Sequence, residues 1–280
     1  MQLKQALQRA IEELTANDVG SPRLNAETLL MFTLACDRAY LYAHPERELT
    51  AAEAGRYAQV IGERASGKPS QYITGHQEFW GLDFLVSPAV LIPRPETEHI
   101  IEAVLELFPD RNSALRIADI GTGSGCLALT LAHEYPRAEV HATDISEAAL
   151  EIAHINRERL DLLRVKFHHC DLLECLDDEG RFDLIVCNPP YVSEAKPEKV
   201  QRQVREFEPK VAVFGGPTGL EIYRRLIPQA AEHLVKGGWL VMEIGFSIES
   251  QVRELLKGWP EVRTHNDLQG IPRVLAARRT

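Results

Sequence analysis

The feature that most restricts this chain begins at Ala114. From there onward, short apolar runs alternate with segments of helical period. LRIADI (115–120), EVHATDI (139–145), VKFHHC (165–170), FDLIVCN (182–188) and GGWLVMEIG (237–245) read as strands. CLALTLAHEY (126–135), SEAALEIAHINRERL (146–160), GLEIYRRLIPQAAEHL (219–234) and IESQVRELLKG (248–258) read as helices. Strands alternating with helices imply an open, mostly parallel sheet covered on both faces. EVRTHNDL (261–268) and PRVLAARR (272–279) follow with no helix between them, so an antiparallel hairpin is expected at the end. The expected sheet has seven strands, six parallel and one antiparallel.

The first part of the chain reads differently. Leu3, Ala6, Leu7, Ala10, Ile11 and Leu14 recur at three- and four-residue steps, the stripe of an amphipathic helix. A second helix starts at Ser21-Pro22, with proline in its first turn. A third follows Thr50. Between Gly67 and Pro95, glycines and prolines punctuate short aromatic and β-branched runs, and alternation around Phe79–Val86 suggests a β-hairpin. Thr97–Phe108 reads as one helix. The expected domains are therefore a helical one (1–66), a hairpin linker (67–95) and the α/β domain (96–280).

Composition removes several functions. No apolar run approaches the roughly 20 residues of a membrane helix, and the N-terminus lacks an apolar signal core. A net charge of −10 disfavours a partner held through nucleic-acid phosphates. Five scattered cysteines without a Cys-x-x-Cys pair suggest reduced thiols in a cytoplasmic protein. A metal at His168-His169-Cys170 is set aside, because adjacent strand residues face opposite ways and no second ligand pair stands at zinc-like spacing. Gly62 to Lys68 imitates a phosphate-binding loop, but Pro69 replaces its hydroxyl residue and a helix precedes it, so a helix end is the better reading.

The stretch Gly121-Thr122-Gly123-Ser124-Gly125 follows a strand and opens a helix. Glycines there permit close backbone approach to a ligand, with amide groups pointing outward. The spacing is neither the dinucleotide fingerprint nor a nucleophile elbow. Asp144 ends the second strand, where a carboxylate can accept from both ribose hydroxyls of an adenosine cofactor. Asp171 ends the third strand within reach of an adenine amino group, although a helix N-cap fits it equally. The fourth strand ends in Asn188-Pro189-Pro190-Tyr191. Prolines fix φ and donate no hydrogen bond, which leaves carbonyls for a pocket. The Asn188 side-chain oxygen and the Pro189 carbonyl would accept from a planar –NH₂ group, with Tyr191 stacking on its plane.

Asn-Pro-Pro-Tyr after strand four, with Gly-x-Gly-x-Gly after strand one, resembles S-adenosylmethionine-dependent amino-group methyltransferases. Over essentially its full length, the chain resembles the PrmC/HemK family of peptide-chain release factor glutamine methyltransferases. The matching segments are Gln71–Gly75, Glu78-Phe79-Trp80, Val90–Glu98 (VLIPRPETE), the glycine and proline motifs, Glu208-Pro209, Gly219-Leu220 and Gly237-Gly238. VLIPRPETE is the most specific, since the proline motif is shared with DNA methyltransferases. The resemblance implies a Rossmann-like domain that methylates N5 of the glutamine in the Gly-Gly-Gln loop of release factors one and two, with S-adenosyl-L-homocysteine as product and no metal. It places the cofactor on Gly121–Gly125, Asp144, Asp171, Leu172 and Asn188. The substrate falls to Asn188, Pro189, Pro190, Tyr191, Arg94, Glu96 and Thr97. A helix start fits Glu96-Thr97 as well, and Leu172 departs from the aromatic residue some members carry. The alternative is a nucleic-acid adenine-N6 methyltransferase, which would show a basic face and a target-recognition domain.

Overall fold

The apolar stripe of the first segment becomes helix α1 (Leu3–Ala16), which buries Leu3, Ala6, Ala10 and Leu14. Helix α2 (Pro22–Leu34) starts on its proline, and a short α3 (Arg38–Ala43) follows. Helix α4 (Ala51–Ala65) opens on a capping box: Thr50 Oγ1 accepts from the Glu53 amide, and the Glu53 carboxylate accepts from the Thr50 amide. The imitation phosphate loop is the end of α4, with Gly67 at φ +105°. Helix α5 (Ser70–Thr74) then packs on α2 and α4. These helices enclose one apolar core around Leu14, Leu29, Leu30 and Ile61.

In this computed structural model residues 1–195 and 200–280 are described. The chain divides into Met1–His76 and Gln77–Thr280, so the helical unit runs past residue 66 to include α5. The second unit carries most of the hairpin β1 (His76–Phe79) and β2 (Leu82–Leu85), whose Phe79 and Phe84 belong to its core. The hairpin turns on Trp80 (φ +54°) and Gly81 (φ +74°). Two left-handed residues match the twist of the flanking strands. The tryptophan is held there by two donations: its amide to Glu98 Oε1 and its indole to Glu134 Oε1, both at 2.9 Å.

A 3₁₀ turn (Pro95–Thr97) leads into α6 (Glu98–Leu107), the one helix expected over Thr97–Phe108, with Thr97 and Phe108 as its flanking caps. The rest alternates: β3 (Arg116–Ile120), α7 (Cys126–Glu134), β4 (Glu139–Asp144), α8 (Glu147–Arg159), β5 (Lys166–His169), β6 (Phe182–Cys187). Short helices α9 (Arg202–Phe207) and α10 (Lys210–Val213) precede α11 (Glu221–His233), β7 (Leu234–Glu243), α12 (Glu249–Leu255), β8 (Glu261–Asn266) and β9 (Pro272–Arg278). The sheet order is β5-β4-β3-β6-β7-β9-β8, and β9 alone opposes the other six. This is the expected Rossmann-like sheet. Chain order reverses between β3 and β6, so a cleft opens at their carboxyl ends.

One expectation is corrected. Cys170 and Cys175 are joined by a disulfide, leaving Cys36, Cys126 and Cys187 as the free thiols. The connection after β5 folds back and brings the two Cα atoms to 6.0 Å, a proximity that pair spacing along the chain does not reveal. Among the described residues no helix is long and apolar enough to cross a membrane.

Candidate active site

The turn after β3 is built by conformation. Gly121, Gly123 and Gly125 stand at φ +72°, +57° and +84°, in the left-handed region that suits glycine. A Cβ at Gly121 or Gly123 would meet nothing within 4 Å, whereas one at Gly125 would press on Leu129 at 3.0 Å. The first two glycines thus leave open space beside the cavity, and the third seats α7. The amides did not turn out as expected. Those of Gly121 and Thr122 donate to the Thr143 carbonyl, each at 2.9 Å, and that of Gly123 donates to Asp144 Oδ2 at 2.8 Å. The turn therefore supplies room more than free donors.

Two residues brace it from behind. Asp119 is fully buried; its Oδ2 accepts from Thr122 Oγ1 (2.6 Å) and the Ala128 amide (3.1 Å), and burial pushes its carboxyl up to about 7. Asn156, buried on α8, donates to the carbonyls of Ser124 and Leu85, both at 2.9 Å, and so ties the glycine turn to β2. Asp144 lines the cavity while accepting from Gly123 and Ser146. Burial raises its pKa, and these amide donations oppose the rise.

The turn after β6 is built by contact. A Cβ at Gly215 would lie 2.2 Å from the Pro190 carbonyl oxygen, and one at Gly219 would lie 2.3 Å from that of Tyr191. Only glycines let the 213–219 segment run this close. Val192 donates to Val213 O and Gly215 donates to Val192 O, which completes the clamp. Asn188 is fixed by a relay. Its Nδ2 donates to Thr97 Oγ1 (2.9 Å), and the Thr97 hydroxyl donates to Glu243 Oε2 (2.6 Å). Tyr191 donates its hydroxyl to the other oxygen, Glu243 Oε1, at 3.0 Å. Two hydroxyls aimed at one carboxylate orient the whole chain of bonds. The Asn188 amide is thereby turned so that Oδ1 is left for the cavity that Asn188 lines. Burial pushes the Glu243 carboxyl up, and the two hydroxyl donations hold it back.

One cavity gathers Gly121, Thr122, Gly123, Ser124, Asp144, Asp171, Leu172, Asn188, Pro189, Pro190, Arg94 and Thr97. Gly125, Glu96 and Tyr191 do not line it. Tyr191 packs into the core beneath, with its hydroxyl engaged, instead of presenting a free ring face. Asp171 Oδ2 accepts from Arg225 (2.6 Å), which lines the cavity too, and Leu172 sits at φ +52°. Arg94 pairs with Glu208, a carboxylate whose second oxygen accepts from the Ile92 amide. Glu98 holds the Trp80 turn. VLIPRPETE thus both braces and lines the site: Val90, Leu91, Pro93, Arg94 and Thr97 form part of the wall.

Glu243, Asp119, Asn156 and Gly215 are functional positions that no sequence motif marks, and Glu208 belongs to a matching segment that by itself implies no role. A lone carboxylate ending the apolar run of β7 was the available signal for Glu243.

The PrmC N-terminal domain family matches residues 5–75, and the methyltransferase small domain family matches residues 100–207. A release factor glutamine methyltransferase of Koribacter versatilis is 57% identical over 279 residues, covering 100% of this chain and 99% of the relative. Another, from Moorella thermoacetica, is 48% identical over 92% of this chain and 90% of its own. Among solved structures, the hMettl16 catalytic domain with an RNA hairpin superposes with TM-score 0.58 at 21% identity, over 85% of this chain and 84% of that one. The T. thermophilus 16S rRNA N2 G1207 methyltransferase with AdoMet and guanosine gives 0.54 at 21% identity, over 73% and 50%. These two structures share the fold; the sequence relatives share both units from end to end. On that end-to-end identity the chain belongs to the release factor glutamine methyltransferase family.

Proposed function

We propose that this chain transfers the methyl group of S-adenosylmethionine to N5 of the glutamine in the Gly-Gly-Gln loop of peptide-chain release factors one and two, releasing S-adenosyl-L-homocysteine. The observation that carries this reading is the Thr97–Glu243 relay, which leaves Asn188 Oδ1 as an acceptor at the cavity. The cavity suits the cofactor. Open space at Gly121 and Gly123, the Asp144 carboxylate and the apolar Leu172 and Ile145 match an adenosine with a cationic tail. Gly121–Ser124 would seat that tail, Asp144 would accept from the ribose, and Asp171 with Leu172 would flank the base. When bound, the sulfonium supplies an activated methyl group.

The protein's own task is to hold and orient the carboxamide. An amide nitrogen is a weak nucleophile because its lone pair is delocalised. Asn188 Oδ1 and the Pro189 carbonyl would accept its two N–H bonds, keeping the nitrogen aimed and favouring the more tetrahedral, more positive form as it reacts. No base is needed beforehand, since the nitrogen sheds a proton to water afterwards. Glu243, Thr97 and Tyr191 position Asn188 without touching the substrate. Arg94, held by Glu208, forms part of the wall, with Glu96 outside it. The helical N-terminal unit is assigned to docking the body of the release factor, and we assign no metal to the transfer.

Mass spectrometry of both release factors, after incubation with purified enzyme and labelled cofactor, tests this reading. One methyl group on the loop glutamine is expected. Label on duplex DNA with none on either release factor would replace it with the adenine-N6 alternative.

A further inference from the structure

A second cluster lies away from the cavity, at the β4–β5 edge of the sheet. The parallel register pairs His141 with Lys166 and Thr143 with His168, so His141 and His168 project from one face. Their rings are nearly parallel with centroids 5.2 Å apart and meet edge to edge, His141 Nδ1 lying 3.1 Å from His168 Nε2. Glu179, from the 3₁₀ turn Asp177–Glu179, brings Oε2 to 3.7 Å from the same His141 Nδ1. The three ligating atoms lie within 4.8 Å of one another, and none of these residues lines the cavity.

The surroundings define what the cluster needs. His141 Nε2 faces Glu139 Oε1 at 3.1 Å. In the neutral tautomer that donates Nε2–H to Glu139, the one ring proton of His141 is spent there. Nδ1 is then bare, and points at a second ring nitrogen and a carboxylate oxygen. A proton on His168 Nε2 satisfies one of those pairings and leaves Glu179 opposite a lone pair. A divalent cation between them would engage His141 Nδ1, His168 Nε2 and Glu179 Oε2 together. Lys166 Nζ lies 2.8 Å from Glu139 Oε1 and 4.0 Å from Glu179 Oε2, and Arg116 lies 3.4 Å from Glu139 Oε2, so Glu139 is the better neutralised carboxylate. The N···N separation of 3.1 Å fits two metal–nitrogen bonds of about 2.05 Å meeting at roughly 100°. The Glu139–His141 contact is the carboxylate–histidine arrangement that orients a ligating ring.

We propose that His141, His168 and Glu179 bind a divalent ion of the zinc class, with a fourth position open to water. Two imidazoles and one carboxylate select zinc-like ions over magnesium or calcium. The site ties β4 and β5 to the connection that also carries Asp171 and Leu172 of the cavity wall. The proposal departs from the expectation that set a metal aside at His168-His169-Cys170: His169 bonds Ile145 O and Cys170 is in the disulfide, so of that tract only His168 is a ligand. The second ligand comes instead from the neighbouring strand.

The test is calorimetric titration of chelator-treated, disulfide-intact full-length protein with zinc chloride, alongside His168→Gln and Glu179→Gln. One zinc per chain is expected, weakened about 100-fold by His168→Gln and at least about 10-fold by Glu179→Gln, the milder change on an exposed turn. Cobalt titration should give visible ligand-field bands without a thiolate charge-transfer band. Stoichiometric zinc absent from the wild type, affinity unchanged in both variants, or a thiolate band would each overturn the proposal.

Discussion

The ends of β3 and β6 face one cavity but are made in different ways. After β3, left-handed Gly121 and Gly123 create space, and their amides are spent on Thr143 and Asp144. After β6, prolines remove donors, and the clamp by Gly215 and Gly219 fixes the carbonyls. A buried carboxylate stands behind each. Asp119 braces its turn through Thr122 and Ala128, three and nine residues away. Glu243 braces the proline turn through Thr97 and Tyr191, 146 and 52 residues away. One wall is a local device that makes room for a ligand; the other is a long-range device that aims an acceptor. The first should therefore govern cofactor affinity, and the second turnover.

The sharpest way to break this division is Asn188→Ala, which should lower kcat about a thousandfold while leaving cofactor affinity within a few-fold. A parallel loss of cofactor binding would merge the two walls. Asp144→Asn should do the reverse, raising the cofactor Kd between about 10- and 100-fold by equilibrium titration, with a smaller change in kcat. Gly215→Ala forces a Cβ against the Pro190 carbonyl and should cost about 1–3 kcal/mol in denaturant unfolding. Thr97→Val cuts the relay and should lower kcat about tenfold at unchanged cofactor Kd. Thr97→Ser, which keeps the hydroxyl, should restore most of it.

The smallest effect concerns Asp119. Its carboxyl sits at about 7 in the fold against 3.8 as the ordinary value, so the native state keeps a proton that the unfolded chain has already released. Stability contributed by this group is full below about pH 4 and falls as pH rises to 7, with about 1 kcal/mol lost between pH 6 and 7. Asp119→Asn preserves the shape and should flatten that slope in chemical denaturation. An unchanged slope would show that another group carries it.

What the sequence disclosed follows the same division. Strand–helix alternation, the glycine turn and the proline turn are local patterns, and each stands where its period or composition puts it. The roles of Glu243, Glu208 and Asn156 could not be read, because their partners lie 146, 114 and 71 residues away and only folding brings them together. Tyr191 shows the same limit. Composition suggests a stacking face, whereas the structure engages its hydroxyl with Glu243 and packs the ring inward. The Cys170–Cys175 bond and the His141–His168 pairing also depend on how the chain folds back around β5.

The central claim is that Asn188 Oδ1, aimed by Thr97 and Glu243, receives the substrate carboxamide. The most direct test is a crystal structure of the enzyme with S-adenosyl-L-homocysteine and a release factor. The account predicts the loop glutamine nitrogen about 2.9 Å from both Asn188 Oδ1 and the Pro189 carbonyl oxygen. A glutamine bound elsewhere, or an Asn188 amide rotated so that Nδ2 faces the substrate, would contradict it.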